Sequence, residues 1–128
     1  MFSVSLGYSA MNPVCVSNGV IFTTVDGTVA KLNMKGEFVF RAKLEAFQGA
    51  LLKCGRIGNN SIFVTSALYV RSGFHFYIYL VDISGMDPLV KEKVEIVKPI
   101  AVIPTSDAVI VVGSNETTRL RIPEGLAN

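Results

Sequence analysis

The chain has 128 residues, of which half are hydrophobic and only 17% are charged, and its net charge is +2 at pH 7. This length suits a single domain with a substantial buried core. Ordinary soluble domains have about 25% charged residues, so we expect an exposed apolar patch on this surface. Such patches usually mark partner or self-association sites, and the composition therefore favours an oligomer.

The charge pattern argues against a nucleic-acid partner. Lys and Arg are dispersed among Asp and Glu, and even the densest stretch, Lys91-Glu92-Lys93, is mixed, whereas nucleic-acid binders concentrate basic residues on one stripe. No segment approaches the roughly 18 apolar residues that span a bilayer. Residues 1–25 also lack the basic start and the continuous apolar core of a signal peptide. We therefore expect a soluble, cytoplasmic protein without a membrane partner.

The apolar runs predict an all-β fold. They are short, rich in Val, Ile, Phe, Thr and Tyr, and bounded by Gly, Asn, Asp, Pro and Ser. Asp87–Val97 also admits a short helix that begins at Asp87-Pro88, but Val94 and Ile96 alternate with charged residues, which favours a strand. The candidate strands are Phe2–Tyr8, Val14–Ser17, Val20–Val25, Val29–Asn33, Phe38–Leu44, Ala50–Cys54, Ser61–Val70, Phe74–Asp82, Val90–Val97, Ile100–Ile103, Ala108–Gly113 and Thr118–Ile122.

Similar segments recur three times at intervals of about 40–50 residues. Gly19-Val20-Ile21-Phe22 corresponds to Asn60-Ser61-Ile62-Phe63 and then to Asp107-Ala108-Val109-Ile110. The sequence thus predicts one all-β domain, 1–128, of three repeats at about 9–46, 47–97 and 98–128, with an additional N-terminal strand at 1–8.

The stretch Val16–Leu44, VSNGVIFTTVDGTVAKLNMKGEFVFRAKL, resembles one repeat of the PQQ-like β-propeller family. Blades of that family read as a small turn, Gly-Val-hydrophobic, Asp-Gly, apolar-x-Leu-Asn/Asp, Gly-Glu and an aromatic residue. The match is good in the first repeat, fair in the second and weak in the third, and Phe40 stands where many blades carry Trp. The resemblance implies three four-stranded, propeller-like blades and, because the quinone-binding residues are not part of this motif, no cofactor.

The third repeat ends before a fourth strand, and the N-terminal segment offers a spare one. Phe2, Val4, Leu6 and Tyr8 share one face of that strand, and we predict that they form a closure and interface strand beside Thr118–Ile122. Phe74–Val81 and Ala108–Val112 are apolar at successive positions, which predicts strands covered on both sides.

Three blades make half of a ring, because propellers typically have four to eight. A head-to-tail homodimer, or a higher closed ring, would complete the circle. The alternative is a β-trefoil, which also builds twelve strands from three repeats but is complete as a monomer.

The sequence shows no catalytic constellation, so an enzyme is not expected. His75 is the one histidine, and no local signature supplies the nucleophile and carboxylate that a catalytic histidine needs. We interpret His75 as a core or interface residue, and Cys15 and Cys54 as small buried hydrophobes. No metal site or cofactor is predicted.

The leading functional hypothesis is a non-enzymatic interaction or assembly scaffold that binds itself or another protein. Binding residues concentrate on loops that a rigid scaffold holds, and the candidate loops contain Asp26, Gly27, Arg71, Asp87 and Asn115. The alternative is a small lectin-like protein that binds a carbohydrate or another ligand. The absence of Trp and the position of Tyr69, Tyr77 and Tyr79 within strands count against that alternative.

Overall fold

A computed structural model of the chain describes residues 13–126. Within that range the chain forms three antiparallel sheets and no helix, and neighbouring strands in each sheet are consecutive in sequence. The first sheet contains β1 (Val14–Val16), β2 (Gly19–Thr23), β3 (Thr28–Asn33) and β4 (Phe38–Lys43). The middle sheet contains β5 (Ala50–Gly58), β6 (Ser61–Val70), β7 (Gly73–Asp82) and β8 (Leu89–Ile96). The last sheet contains β9 (Ala101–Pro104), β10 (Ala108–Val112) and β11 (Thr117–Arg121).

These strands confirm the all-β prediction. Each described candidate strand is present, and the segment at Asp87–Val97 forms β8, so the alternative of a helix there is wrong. The three corresponding segments lie at the start of β2, β6 and β10, the second strand of each sheet. The predicted closure strand, with Phe2, Val4, Leu6 and Tyr8, lies outside the described residues.

The fifth strand continues four residues beyond its predicted end at Cys54. The predicted strand stops before Gly55, but β5 pairs with β6 as far as Gly58 opposite Ser61, with two register shifts along the way. At Gly55 the ring of Phe63 occupies the space of a side chain, since a Cβ atom there would lie 2.4 Å from a ring carbon. The glycine therefore serves close packing within the strand rather than chain reversal.

The middle sheet is covered on both faces. Successive residues of β7 point to opposite sides: Tyr79 and Val81 pack in a core shared with the first sheet, and Ile78 and Leu80 in a core shared with the last sheet. This arrangement confirms two-sided burial for residues 78–81 of the predicted Phe74–Val81 segment, whereas Phe74 itself is 63% exposed. The three sheets accordingly stack in sequence order.

Tyr79 joins the middle sheet to the segment between β4 and β5. Its side chain is wholly buried, and its hydroxyl accepts hydrogen bonds from the Gln48 backbone N–H at 3.0 Å and from Ser66 Oγ at 3.3 Å. Its ring stacks on Phe47 with 5.2 Å between centroids. One residue thus fixes the connection between two sheets by polar and apolar contacts together.

Backbone hydrogen bonds between sheets fix their relative direction. The N–H of Leu51, at the start of β5, donates to Val25 O in the β2–β3 turn, and at the opposite end Ser17 N donates to Asn59 O. In the last sheet, the Leu126 carbonyl that follows β11 accepts a hydrogen bond from Ser61 Oγ at the start of β6. The β2–β3, β6–β7 and β10–β11 turns therefore share one end of the stack.

Candidate functional site

The last sheet presents an apolar face that is turned away from the middle sheet. The register places Ile103 beside Ile110, and Ala101 beside Val112, on that face. Ile103 is half exposed, the other three side chains are partly exposed, and none of the four belongs to a core cluster of the described residues. The prediction that Ala108–Val112 is covered on both sides therefore holds only in part among residues 13–126. Ala108, Val109 and Val111 are buried, whereas Ile110 and Val112 stay partly exposed on the outward side.

Arginines of β11 border this outward face. Arg119 stands opposite Ile110 and Arg121 opposite Ala108. Both side chains are exposed, and Arg119 Nη2 lies 2.8 Å from Asp107 Oδ2 in the β9–β10 turn. The surface is thus an apolar strip with one cationic edge, and of the two arginines on that edge Arg119 is paired with Asp107.

The first sheet also turns apolar residues outward. Val20 and Phe22 are half-buried there, and Phe38 is 41% exposed. Cys15 pairs with Val20 on the same face and is exposed, so the prediction of a buried Cys15 is wrong. Cys54 is buried as predicted, and that burial raises the pKa of its thiol.

The turns predicted to bind partners fall at two ends of the stack. The β2–β3, β6–β7 and β10–β11 turns, which share one end of the stack, contain Asp26-Gly27, Arg71 and Asn115 respectively. Asp87 lies in the β7–β8 turn at the opposite end. At the first of these turns the local structure accounts for both residues. Asp26 Oδ1 accepts hydrogen bonds from Thr24 Oγ1 and from the Thr28 backbone, and these bonds lower the pKa of its carboxyl.

Gly27 is required by geometry as well. Its φ is +86°, a value that favours glycine, and the Phe47 ring lies 2.4 Å from the place of a Cβ atom. The Asp26-Gly27 turn is therefore explained by packing and turn chemistry, which leaves Arg71 and Asn115 as the candidate binding residues at this end.

Beside Arg71 the structure forms a hydrogen-bonded chain that the sequence analysis missed. Ser72 Oγ lies 2.9 Å from His75 Nε2, and His75 Nδ1 lies 2.9 Å from Glu95 Oε2. Ser72 is in the two-residue β6–β7 turn, His75 is in β7, and Glu95 is opposite Tyr77 in β8. His75 lies at the surface with about a third of its side chain exposed, so the predicted core position is wrong and the interface position stays a prediction.

Lys93 lies two residues before Glu95, on the same face of β8, and makes several contacts. Lys93 Nζ donates to Ala46 O at 2.9 Å and to Gln48 Oε1. It also lies 4.8 Å from the centroid of the Tyr77 ring, a distance at which a cation is attracted to the ring face. These contacts hold β8, and with it Glu95, against the segment that precedes β5.

The remaining surface features carry little chemistry. An open crevice of about 990 Å³ between β8 and the end of the last sheet is lined by side chains of both signs, including Lys91, Glu92, Asp107 and Arg121. Among residues 13–126, no three His, Cys, Asp or Glu side chains are grouped closely enough to hold a metal ion. The described part of the chain also has no helix of the length and hydropathy needed to cross a membrane.

Comparisons with protein-family models, with curated proteins and with solved structures found no match to this chain. The resemblance of Val16–Leu44 to PQQ-like repeats therefore stays a prediction.

Proposed function

We propose that this protein is a propeller-like assembly scaffold that associates with a second copy of itself. The observation that carries the proposal is the outward face of the last sheet, where the half-exposed Ile103 stands beside the partly exposed Ile110. Apolar strips of this kind are typical of surfaces that bury against a partner.

The stacking order supports a head-to-tail contact between copies. Each sheet packs on the next through its faces, and the two outermost faces, on the first and last sheets, both carry apolar side chains. Contact of the last sheet of one copy with the first sheet of the other repeats the internal arrangement. A head-to-tail contact forms a closed ring when the rotation that relates the copies completes a full circle. Two copies with three sheets each would give a ring of six blades, within the usual range for propellers.

Light scattering coupled to size exclusion tests the proposal. We expect a mass of about twice 13.8 kDa at micromolar concentration, and a monomer for Ile103→Lys, because the substitution places a charge in the buried centre of the contact. Met86→Lys is the matched control, since Met86 is 74% exposed in the β7–β8 turn and its variant should remain dimeric. A folded wild-type monomer at these concentrations contradicts the proposal and favours the trefoil alternative.

One observation favours a second candidate function, the binding of a carbohydrate. Tyr69 and Phe74 are 71% and 63% exposed, and their rings pack edge to face with 5.0 Å between centroids. An exposed aromatic pair offers a stacking surface for a sugar ring. Binding on a glycan array that is lost in Tyr69→Ala would support this function, whereas an array without a positive signal would remove it.

A further inference from the structure

The chain Ser72–His75–Glu95 has the geometry of an activated nucleophile. A hydroxyl within hydrogen-bond reach of a base, with that base oriented by a third group, is the diagnostic arrangement of nucleophilic catalysis. Here both donor–acceptor distances are 2.9 Å. A carboxylate only accepts hydrogen bonds, so the contact with Glu95 places the proton of a neutral imidazole on His75 Nδ1. Nε2 is then a base that faces the Ser72 hydroxyl.

We propose that Ser72 is a reactive nucleophile that accepts an acyl group from small, activated esters. Ser72 Oγ forms a bond to the ester carbonyl carbon while His75 Nε2 takes the hydroxyl proton. The tetrahedral intermediate then breaks its bond to the leaving oxygen, and His75 returns the proton to the departing alcohol. Water then attacks the acyl carbonyl carbon while His75 Nε2 takes its proton, the bond from that carbon to Ser72 Oγ breaks, and His75 returns the proton to Oγ, which releases the carboxylic acid and restores Ser72.

The position of the β6–β7 turn is the reason why we propose small, activated esters as substrates. The β5–β6 pairing begins at Ala50–Ala67 and the β7–β8 pairing ends at Phe76–Ile96, so residues 68–75 extend beyond both neighbouring strands. Ser72 is thus presented at an open tip rather than in a deep pocket. The exposed cationic side chain of Arg71 precedes Ser72 in the turn, and we expect its charge to favour the negative charge that develops on the carbonyl oxygen.

The single histidine of the chain allows a direct test of the arrangement. In protein with ¹⁵N-labelled imidazole at pH 8, where histidine is ordinarily neutral, we expect the proton on Nδ1 of His75. Glu95 acts as a positioning residue, so Glu95→Gln should shift the population away from this tautomer. A wild-type imidazole protonated on Nε2 overturns the proposal, because it could not accept the Ser72 proton.

Covalent labelling tests the reactivity. A fluorophosphonate probe reacts with an activated serine by forming an Oγ–P bond and releasing fluoride, while the proton passes to the imidazole. Because general-base catalysis contributes about 10²–10⁴-fold, we expect Ser72 to be labelled at least about 100-fold faster than Ser84. Ser84 is the internal control: it is an exposed serine whose Oγ donates to Asp82 at 2.7 Å, a carboxylate rather than an imidazole.

Variants separate the roles of the three residues. Ser72→Ala and His75→Gln should abolish rapid labelling, and Glu95→Gln should slow it by about tenfold or more, while circular dichroism shows an unchanged β fold for these surface substitutions. Peptide mapping by mass spectrometry assigns the labelled residue, and hydrolysis of 4-nitrophenyl acetate measures turnover. Labelling of Ser72 no faster than that of Ser84, or undiminished in His75→Gln, refutes the proposal whatever the oligomeric state.

Discussion

Tyr79→Phe should measure how strongly the first and middle sheets are joined. The substitution keeps the ring that stacks on Phe47 and removes only the hydroxyl, which is the acceptor for Gln48 N and Ser66 Oγ. A hydrogen bond contributes about 1 kcal/mol net, and a buried group left without a partner costs about 1–3 kcal/mol. We therefore expect the free energy of unfolding to fall by about 1.5–3 kcal/mol, a large share of the usual 5–15 kcal/mol.

Urea denaturation at a fixed protein concentration measures this loss, because association alters apparent stability. For a domain of this size the same loss corresponds to a fall of roughly 5–12 °C in Tm. Tyr69→Phe is the matched control: Tyr69 is 71% exposed, and its variant should change stability by less than about 0.5 kcal/mol. Equal effects of the two substitutions would show that the Tyr79 hydroxyl does not connect the sheets.

Three further predictions follow from single contacts. Gly55→Ala should destabilise the fold by about 1–3 kcal/mol in urea denaturation, because its methyl group would overlap the Phe63 ring. Asp26 has a pKa below its usual 3.8, so it stabilises the fold above that pH and loses this effect as the pH falls through the lowered value. Asp26→Asn should accordingly lose less stability than the wild type between pH 5 and pH 2.5. A thiol reagent should modify exposed Cys15 in native protein and Cys54 only after denaturation; rapid modification of both would contradict the buried position.

Local signals in the sequence were enough to predict the strands. Among residues 13–126 each run bounded by turn residues forms a strand, and the apolar pattern of Phe74–Val81 predicted a strand buried on both sides, as β7 is at residues 78–81. The boundary of β5 was the main error in strand length. A glycine such as Gly55 breaks strands on average, and only the neighbouring Phe63 ring, which follows from tertiary packing, explains its place in the middle of one.

Contacts between strands were beyond what the pattern could predict. Ser72 precedes His75 by three residues, but Glu95 is 20 residues further on, and its approach depends on the register of β7 with β8. One residue of slip would turn Glu95 to the other face of the sheet. A Ser-x-x-His pair across a tight turn was a visible signal, yet the register was needed to complete it. The prediction for Cys15 failed for a similar reason. Its apolar neighbours Val14 and Val16 point to the buried face of the sheet, so Cys15 between them points to the exposed face.

The stacking order has a consequence for how the chain folds. Within residues 13–126 each sheet is one continuous segment whose strands pair with their sequence neighbours, so each closes only short loops at small entropic cost. The first and last sheets, however, share their cores with the middle sheet and cannot bury those faces alone. We therefore expect the middle sheet, with its long β6–β7 hairpin, to form first and its two neighbours to condense on it.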